Sequence, residues 1–192
     1  MSVVRTPATF SLEQYFAVEE MSDTRHEYVD GLIYAMVGGT LAHARLCRNV
    51  LTSLANRLKR RPCEALGGEL RVFISAAQVA TYPDVAVYCG PIQMHGKRQD
   101  TAVNPVLLVE VLSKSTRLYD RGEKFELYQQ LESLKQYVLV HQDRAMVEVF
   151  TRLEPGVWQP LLVRGMDAKA PLECLEVQLP LQDIYDGVTL ET

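Results

Sequence analysis

Glu110 stands inside a run that is otherwise apolar, with Val106-Leu107-Leu108-Val109 before it and Val111-Leu112 after it. A carboxylate isolated in such surroundings is costly unless a cation or hydrogen-bond donors compensate it. The alternative is a strand that ends there, with the acid solvated at its mouth. Asp84 is a second acid of the same kind: it follows Tyr82-Pro83 and opens the apolar run Val85-Ala86-Val87-Tyr88-Cys89. An aspartate after proline is often only a turn residue. Two acids at comparable places on adjacent strands, however, converge oxygen donors on one point, the arrangement a hard divalent cation requires. Without a cation, like charges that close would repel.

Such a pair can hydrolyse a phosphodiester if a cation or base stands beside the attacking water. Alternation sets Leu112 and Lys114 on the face of Glu110. Leu112 has no suitable group, and Lys114 lies four residues on, about 13 Å along an extended strand. Lys124 is better placed. It belongs to Asp120-Arg121-Gly122-Glu123-Lys124, which opens a helix that must fold back over the sheet. Its plainer reading is a surface pair with Asp120 at i,i+4 spacing.

The elements that must carry these groups follow from periodicity. Ser11 with Gln14 forms a capping box before a short helix over 11–22. Asp30-Gly31 between β-prone runs predicts a tight hairpin over 26–36. Leu46, Val50, Leu54 and Leu58 recur every four residues, which predicts an amphipathic helix over 41–61. It closes on Arg57, Lys59, Arg60, Arg61 and then Pro62, cations and a stop suited to a helix C-terminus. Strands are expected at 69–75, 80–89 and 105–113, with a polar connection over 91–104. A helix is expected at 119–134, strands at 136–142 and 146–152, and a further strand near 158–163. The last thirty residues read as a short cap. This is a mixed α/β order with a central sheet.

Composition narrows the classes. The 192 residues are 47% hydrophobic and 23% charged, which excludes a disordered or fibrous chain. Lys and Arg number 20 against 24 Asp and Glu, a formal charge of −4, so a basic surface for nucleic acid would have to be local. No segment offers the roughly 20 apolar residues of a membrane span. The first residues, Met-Ser-Val-Val-Arg-Thr, have no apolar core of a secretory signal, and a cytoplasmic location is the expectation. Cys47, Cys63, Cys89 and Cys174 lack the short spacings of zinc knuckles or redox dithiols and read as separate thiols.

Tyr82-Pro83-Asp84-Val85, Asn104-Pro105-Val106 leading into Val109-Glu110-Val111-Leu112-Ser113, Ser115-Thr116, and Tyr119 through Phe125 together resemble the Uma-two-type endonucleases. These form a bacterial family within the PD-(D/E)XK nuclease superfamily. Tyr28-Val29-Asp30-Gly31 and Gly38-Gly39-Thr40 with His43 add to the likeness, which runs from about residue 10 to 165. The resemblance implies a single restriction-endonuclease-like domain. Its core would span about 40–152, with an N-terminal helix and β-hairpin extension over 11–37 and a C-terminal cap over 160–192. It also implies Mg²⁺ or Mn²⁺ as cofactor and cleavage of DNA. Asp84 matches the superfamily aspartate and Glu110 its second acid. The lysine two places on is replaced by Leu112, and Lys124 fits the pattern in which the next helix supplies it. Glu69 and His43 match auxiliary positions; His43 also falls on the 43, 47, 50, 54 stripe of its helix, where it can be a hydrogen-bonded residue under the sheet.

The leading expectation is therefore a metal-dependent endonuclease, with Asp84 and Glu110 as ion ligands and Lys124 beside the scissile phosphate. Arg57, Lys59, Arg60, Arg61, Lys97 and Arg98 are candidates for DNA phosphates. A homodimer suits an enzyme that cuts two strands. The alternatives are a non-catalytic nuclease-fold module for binding or oligomerisation, which Leu112 and the acidic charge favour, and hydrolysis of a small phosphate ester. Gly38-Gly39 lacks the downstream Gly-Lys of a nucleotide-binding loop.

Overall fold

The structure, a computed structural model, describes residues 9–113 and 116–190; Lys114 lies outside them. The chain opens with helix α1 (Leu12–Met21), the hairpin strands β1 (His26–Val29) and β2 (Leu32–Ala35), and the long helix α2 (Leu41–Leu58). Strands β3 (Cys63–Gly67), β4 (Arg71–Ile74), β5 (Val79–Thr81), β6 (Val85–Cys89), β7 (Thr101–Ala102) and β8 (Leu107–Leu112) follow. Two short helices, α3 (Arg117–Arg121) and α4 (Glu123–Tyr128), precede β9 (Gln136–His141), β10 (Met146–Glu154) and β11 (Val157–Arg164). The chain ends in a ribbon, β12 (Lys169–Leu172) with β13 (Val177–Pro180), and helix α5 (Leu181–Ile184).

These strands form a mixed six-stranded sheet, ordered β11-β10-β9-β8-β6-β3, and a five-stranded sheet, ordered β2-β1-β5-β4-β7. In the first, β8 and β9 run parallel, and β6 lies antiparallel to β8 with Val85 opposite Val109. Both are buried on both faces, which accounts for their nearly continuous apolar sequences. Side chains alternate across β8. Leu107, Val109 and Val111 meet Leu46, Val50 and Leu54 of α2, while Leu108 and Leu112 meet Phe125 and Tyr128 of α4.

The α/β architecture and central mixed sheet match the sequence expectation, and the capping box at Ser11–Gln14 forms with Ser11 Oγ accepting from Gln14 N at 3.2 Å. Asp30 and Gly31 adopt φ of +51° and +77°, as a two-residue turn of this hand demands. Four expectations are corrected. The hairpin is no appendage: Tyr28 pairs with Ala80, so β1 is built into the five-stranded sheet. The segment 80–89 is two strands in different sheets, because Pro83 cannot donate to a ladder and the chain changes sheet across Tyr82-Pro83-Asp84. The helix at 119–134 is broken at Gly122, whose backbone (φ −108°, ψ −101°) is not helical, and turns bury Leu131 and Leu134 instead.

The fourth concerns the cysteines. β3, which apolar alternation did not mark, is an edge strand paired with β6, with Cys63 directly opposite Cys89. The two form a disulfide, whereas Cys47 and Cys174 are free. A separation of 26 residues conceals that adjacency until β3 is recognised as a strand. Among the described residues, no helix is long and apolar enough to cross a membrane.

Candidate active site

Glu110 is 5% exposed and points to the α4 side of the sheet. Its Oε1 accepts from the Tyr128 hydroxyl at 2.7 Å and lies 3.0 Å from Lys124 Nζ. Burial pushes the carboxyl up to about 8, although the Lys124 charge and the Tyr128 hydrogen bond act the other way. The charge of Asp84 is close enough to raise it further.

Lys124 is itself 7% exposed. Its ammonium stands 3.0 Å from Glu110, 3.0 Å from Glu27 Oε1 and 3.9 Å from Asp120 Oδ1. Burial works against its charge, but the three carboxylates outweigh burial and hold its pKa well above the ordinary lysine range. The i,i+4 pair with Asp120 thus exists, not on the surface but inside a buried cluster. Glu27 sits on β1, where its carboxylate also accepts from the Thr81 hydroxyl and, at 3.3 Å, from Tyr82 N. Burial raises the pKa of Asp120, with Lys124 opposing it.

Asp84 occupies the bend between the two sheets. Continuing the β6–β8 register by one residue sets it opposite Glu110, and its Oδ2 accepts from Val111 N at 2.7 Å. The same oxygen is 3.3 Å from His43 Nε2. The Asp84 hydrogen bond raises the His43 pKa against the effect of burial. His43 lies in the first turn of α2, which Thr40 caps by accepting from His43 N at 3.1 Å. A Cβ at residue 39 would meet His43 Nδ1 at 2.8 Å, so the imidazole can lie there because Gly39 is bare. One turn along α2, Cys47 Sγ is 3.4 Å from His43 Nδ1.

Asp84, Glu110, Lys124 and His43 are therefore brought together. Glu69 is not: its side chain is 88% exposed and pairs with Arg25 at 3.5 Å. The basic cluster after α2 is also distant. Arg57 is fourteen residues from His43 along the helix, about 21 Å away. Its guanidinium is engaged by Ser53, the Gln178 carbonyl and Asp183. Arg61 donates to the Leu175 carbonyl and pairs with Glu176. These two fasten α2 to the C-terminal segment. Lys59, Arg60 and Lys97 are exposed, and Arg98 pairs with Asp100 and Glu20 over the Phe16 ring.

The sequence did not single out Glu27, Tyr128 or Asp120. Glu27 stands in a four-residue strand whose other members are only partly apolar, so nothing marked it as buried. Asp120 was visible only as a partner for Lys124. Arg117 and Arg121 on α3 also flank the site, pairing with Asp143 at 3.3 Å and Glu148 at 2.9 Å.

Three carboxyls, Glu110, Glu27 and Asp120, thus surround a single lysine, and Asp84 stands opposite Glu110 on the neighbouring strand. The negative excess and all-oxygen donor set fit a hard divalent ion at Asp84 and Glu110. Binding there would offset the burial, and after it the repulsion from Asp84, that lift the Glu110 pKa.

The family model described as Uma2, "Putative restriction endonuclease", matches residues 12–182. The chain is 35% identical over 178 residues to protein slr1290 of Synechocystis sp., spanning 93% of this chain and 92% of that one. It is 29% identical over 173 residues to protein sll1609 of the same organism, spanning 90% and 97%. Among solved structures it resembles one from Anabaena variabilis described as "a putative nuclease belonging to DUF820", with a TM-score of 0.76. That match covers 95% of this chain and all of the other at 18% identity, and it shows a shared fold.

Proposed function

We propose that this chain, which belongs to the Uma2 family, described as "Putative restriction endonuclease", is a metal-dependent endonuclease acting on DNA phosphodiesters. The observation that carries this reading is the Lys124 ammonium, 3.0 Å from both Glu110 and Glu27, with Asp84 opposite Glu110 on the neighbouring strand. Asp84 and Glu110 would hold Mg²⁺ or Mn²⁺. The bound ion supplies positive charge that polarises the scissile phosphate.

The chain's own groups do the rest. Val111 N–H fixes the Asp84 carboxylate at 2.7 Å, so that ligand needs no reorganisation. Tyr128 holds the Glu110 carboxylate from the other side. Lys124 balances the acids and, with an ion taking up the charge of Glu110, can turn a proton of its ammonium toward a phosphoryl oxygen as negative charge grows there. His43, hydrogen-bonded to Asp84, is placed to orient it and to hold a proton at Nε2. A lysine supplied by α4 accounts for Leu112 at the position where the resemblance leads one to expect it.

DNA contact is better served by Arg117 and Arg121 than by Arg57 or Arg61, because α3 also carries Asp120 of the site. Lys97 is exposed and is a separate candidate for a phosphate contact. We include in the proposal a homodimer, which would set two sites on two strands, and a cytoplasmic location.

The deciding experiment is cleavage of plasmid and oligonucleotide DNA in Mg²⁺ or Mn²⁺ by wild type, Asp84→Ala and Lys124→Met. Loss of cleavage in both variants supports the reading. Equal cleavage by wild type and Asp84→Ala overturns it, and absence of both cleavage and ion uptake in the wild type leaves a non-catalytic nuclease-fold scaffold.

A further inference from the structure

Cys47 has no part in the chemistry proposed above, yet its thiol does not face a purely apolar core. It is half-buried, with Sγ 3.4 Å from His43 Nδ1. One ligand atom each from His43, Cys47 and Asp84 lie within 4.8 Å of one another. Around a tetrahedral zinc ion, sulfur, nitrogen and oxygen ligands stand about 3.5 Å apart. The three groups are thus within a small side-chain adjustment of filling three of the four positions of a tetrahedral shell.

The backbone explains why they meet. Positions 43 and 47 are one helical turn apart and share a face of α2. The cap at Thr40 and the bare Gly39 fix the first turn and leave room for the imidazole. Asp84 arrives from the bend between the two sheets, with its carboxylate tethered by Val111 N–H.

We propose that His43, Cys47 and Asp84 form a second metal site, one that takes a borderline-soft divalent ion of the zinc class through thiolate, imidazole and carboxylate. A thiolate ligand favours zinc over magnesium, and three protein ligands leave one coordination position open. The site shares Asp84 with the hard-ion pair but owes nothing to Glu110 or Lys124. Its existence therefore does not depend on whether the chain cuts DNA. Zinc held here would engage Asp84 on the α2 side and withdraw it from Glu110, so the same ion would oppose magnesium-dependent cleavage.

Cobalt reports the ligand set directly. The full chain carrying Cys174→Ser, with the Cys63–Cys89 disulfide kept intact, is titrated with Co²⁺. The expected result is a thiolate-to-cobalt charge-transfer band with tetrahedral visible bands, saturating at one ion per chain and persisting in excess Mg²⁺. The band should vanish in Cys47→Ser and remain in Glu110→Gln. A band that survives Cys47→Ser, or no band in the Cys174→Ser chain, overturns the proposal. A second measurement needs no change at the site. Zn²⁺ at a concentration equal to the protein's should slow alkylation of Cys47 by more than about tenfold, because a metal-bound thiolate is withdrawn from attack. An unchanged rate overturns the proposal as well.

Discussion

The Lys124 ammonium lies midway between two sheets, 3.0 Å from Glu110 on β8 and 3.0 Å from Glu27 on β1. Replacing it should be felt in both stability and catalysis. Removing one partner of a buried ion pair costs about 3–5 kcal/mol, because the other is left uncompensated. Lys124→Met should lose about that much in urea unfolding and lower cleavage by about a hundredfold or more. Glu110→Gln with Lys124→Met should cost less than the sum of the single changes. Additive losses would show that the pair is not coupled.

Ion binding should depend on pH through Glu110. Its folded-state carboxyl, pushed up to about 8, binds a proton more tightly than the ordinary carboxyl of 4.5 does. In the ion-free chain Glu110 thus favours folding at acid pH, and that contribution fades as pH rises from 4.5 through 8. A cation needs the ionised form, so Mg²⁺ affinity should climb up to tenfold per pH unit below 8 and flatten above it. Calorimetry at pH 7 in buffers of different ionisation heat should detect a released proton. An affinity independent of pH between 6 and 8 would contradict this assignment.

Tyr128→Phe removes the hydroxyl that donates to Glu110 at 2.7 Å. The loss should be about 1.5–3 kcal/mol above pH 8, where the carboxyl is ionised, as for other hydrogen bonds to charged acceptors. It should also move the midpoint of the ion-binding profile to higher pH, since a donor that favours the ionised carboxylate is gone.

Basic residues should separate into two groups. Arg57→Ala severs contacts to Ser53, Gln178 and Asp183, so it should lower the thermal midpoint and leave the salt dependence of DNA binding unchanged. Arg121→Ala should reduce the slope of log affinity against log salt by about one, the signature of one lost phosphate contact. Filter-binding titrations over a range of salt concentrations measure both.

Thiol titration of the unfolded, unreduced chain should find Cys47 and Cys174 alone. Reducing the Cys63–Cys89 bridge should cost about 3.5 kcal/mol on a chain-entropy view of a loop closed over 26 residues.

The legible parts of this chain were those where pattern and burial coincide. β8 is apolar except at Glu110, and that one departure located the site. The i,i+4 spacing of Asp120 and Lys124 revealed a pair but not its depth, because burial depends on where α4 docks. Glu27 stayed hidden for a related reason: its importance comes from a pairing between β1 and β5, fifty residues apart, which no local period records. The basic tail of α2 misled in the opposite direction. Four cations in five residues look like a patch for polyanions, yet Arg57 and Arg61 turn inward to backbone carbonyls and acids. Gly122 was visible in the sequence, but the apolar stripe through Phe125, Tyr128, Leu131 and Leu134 continued across it and suggested one helix where there are two.

The bend at Tyr82-Pro83-Asp84 joins the two sheets through three residues, and the ammonium on α4 touches an acid from each. Assembly of the acidic pocket and docking of the amino-terminal strands are consequently a single equilibrium. Whatever pries β1 away from β5 dismantles the pocket without altering any residue that would bind the ion, and whatever fills the pocket tightens the amino-terminal third of the molecule.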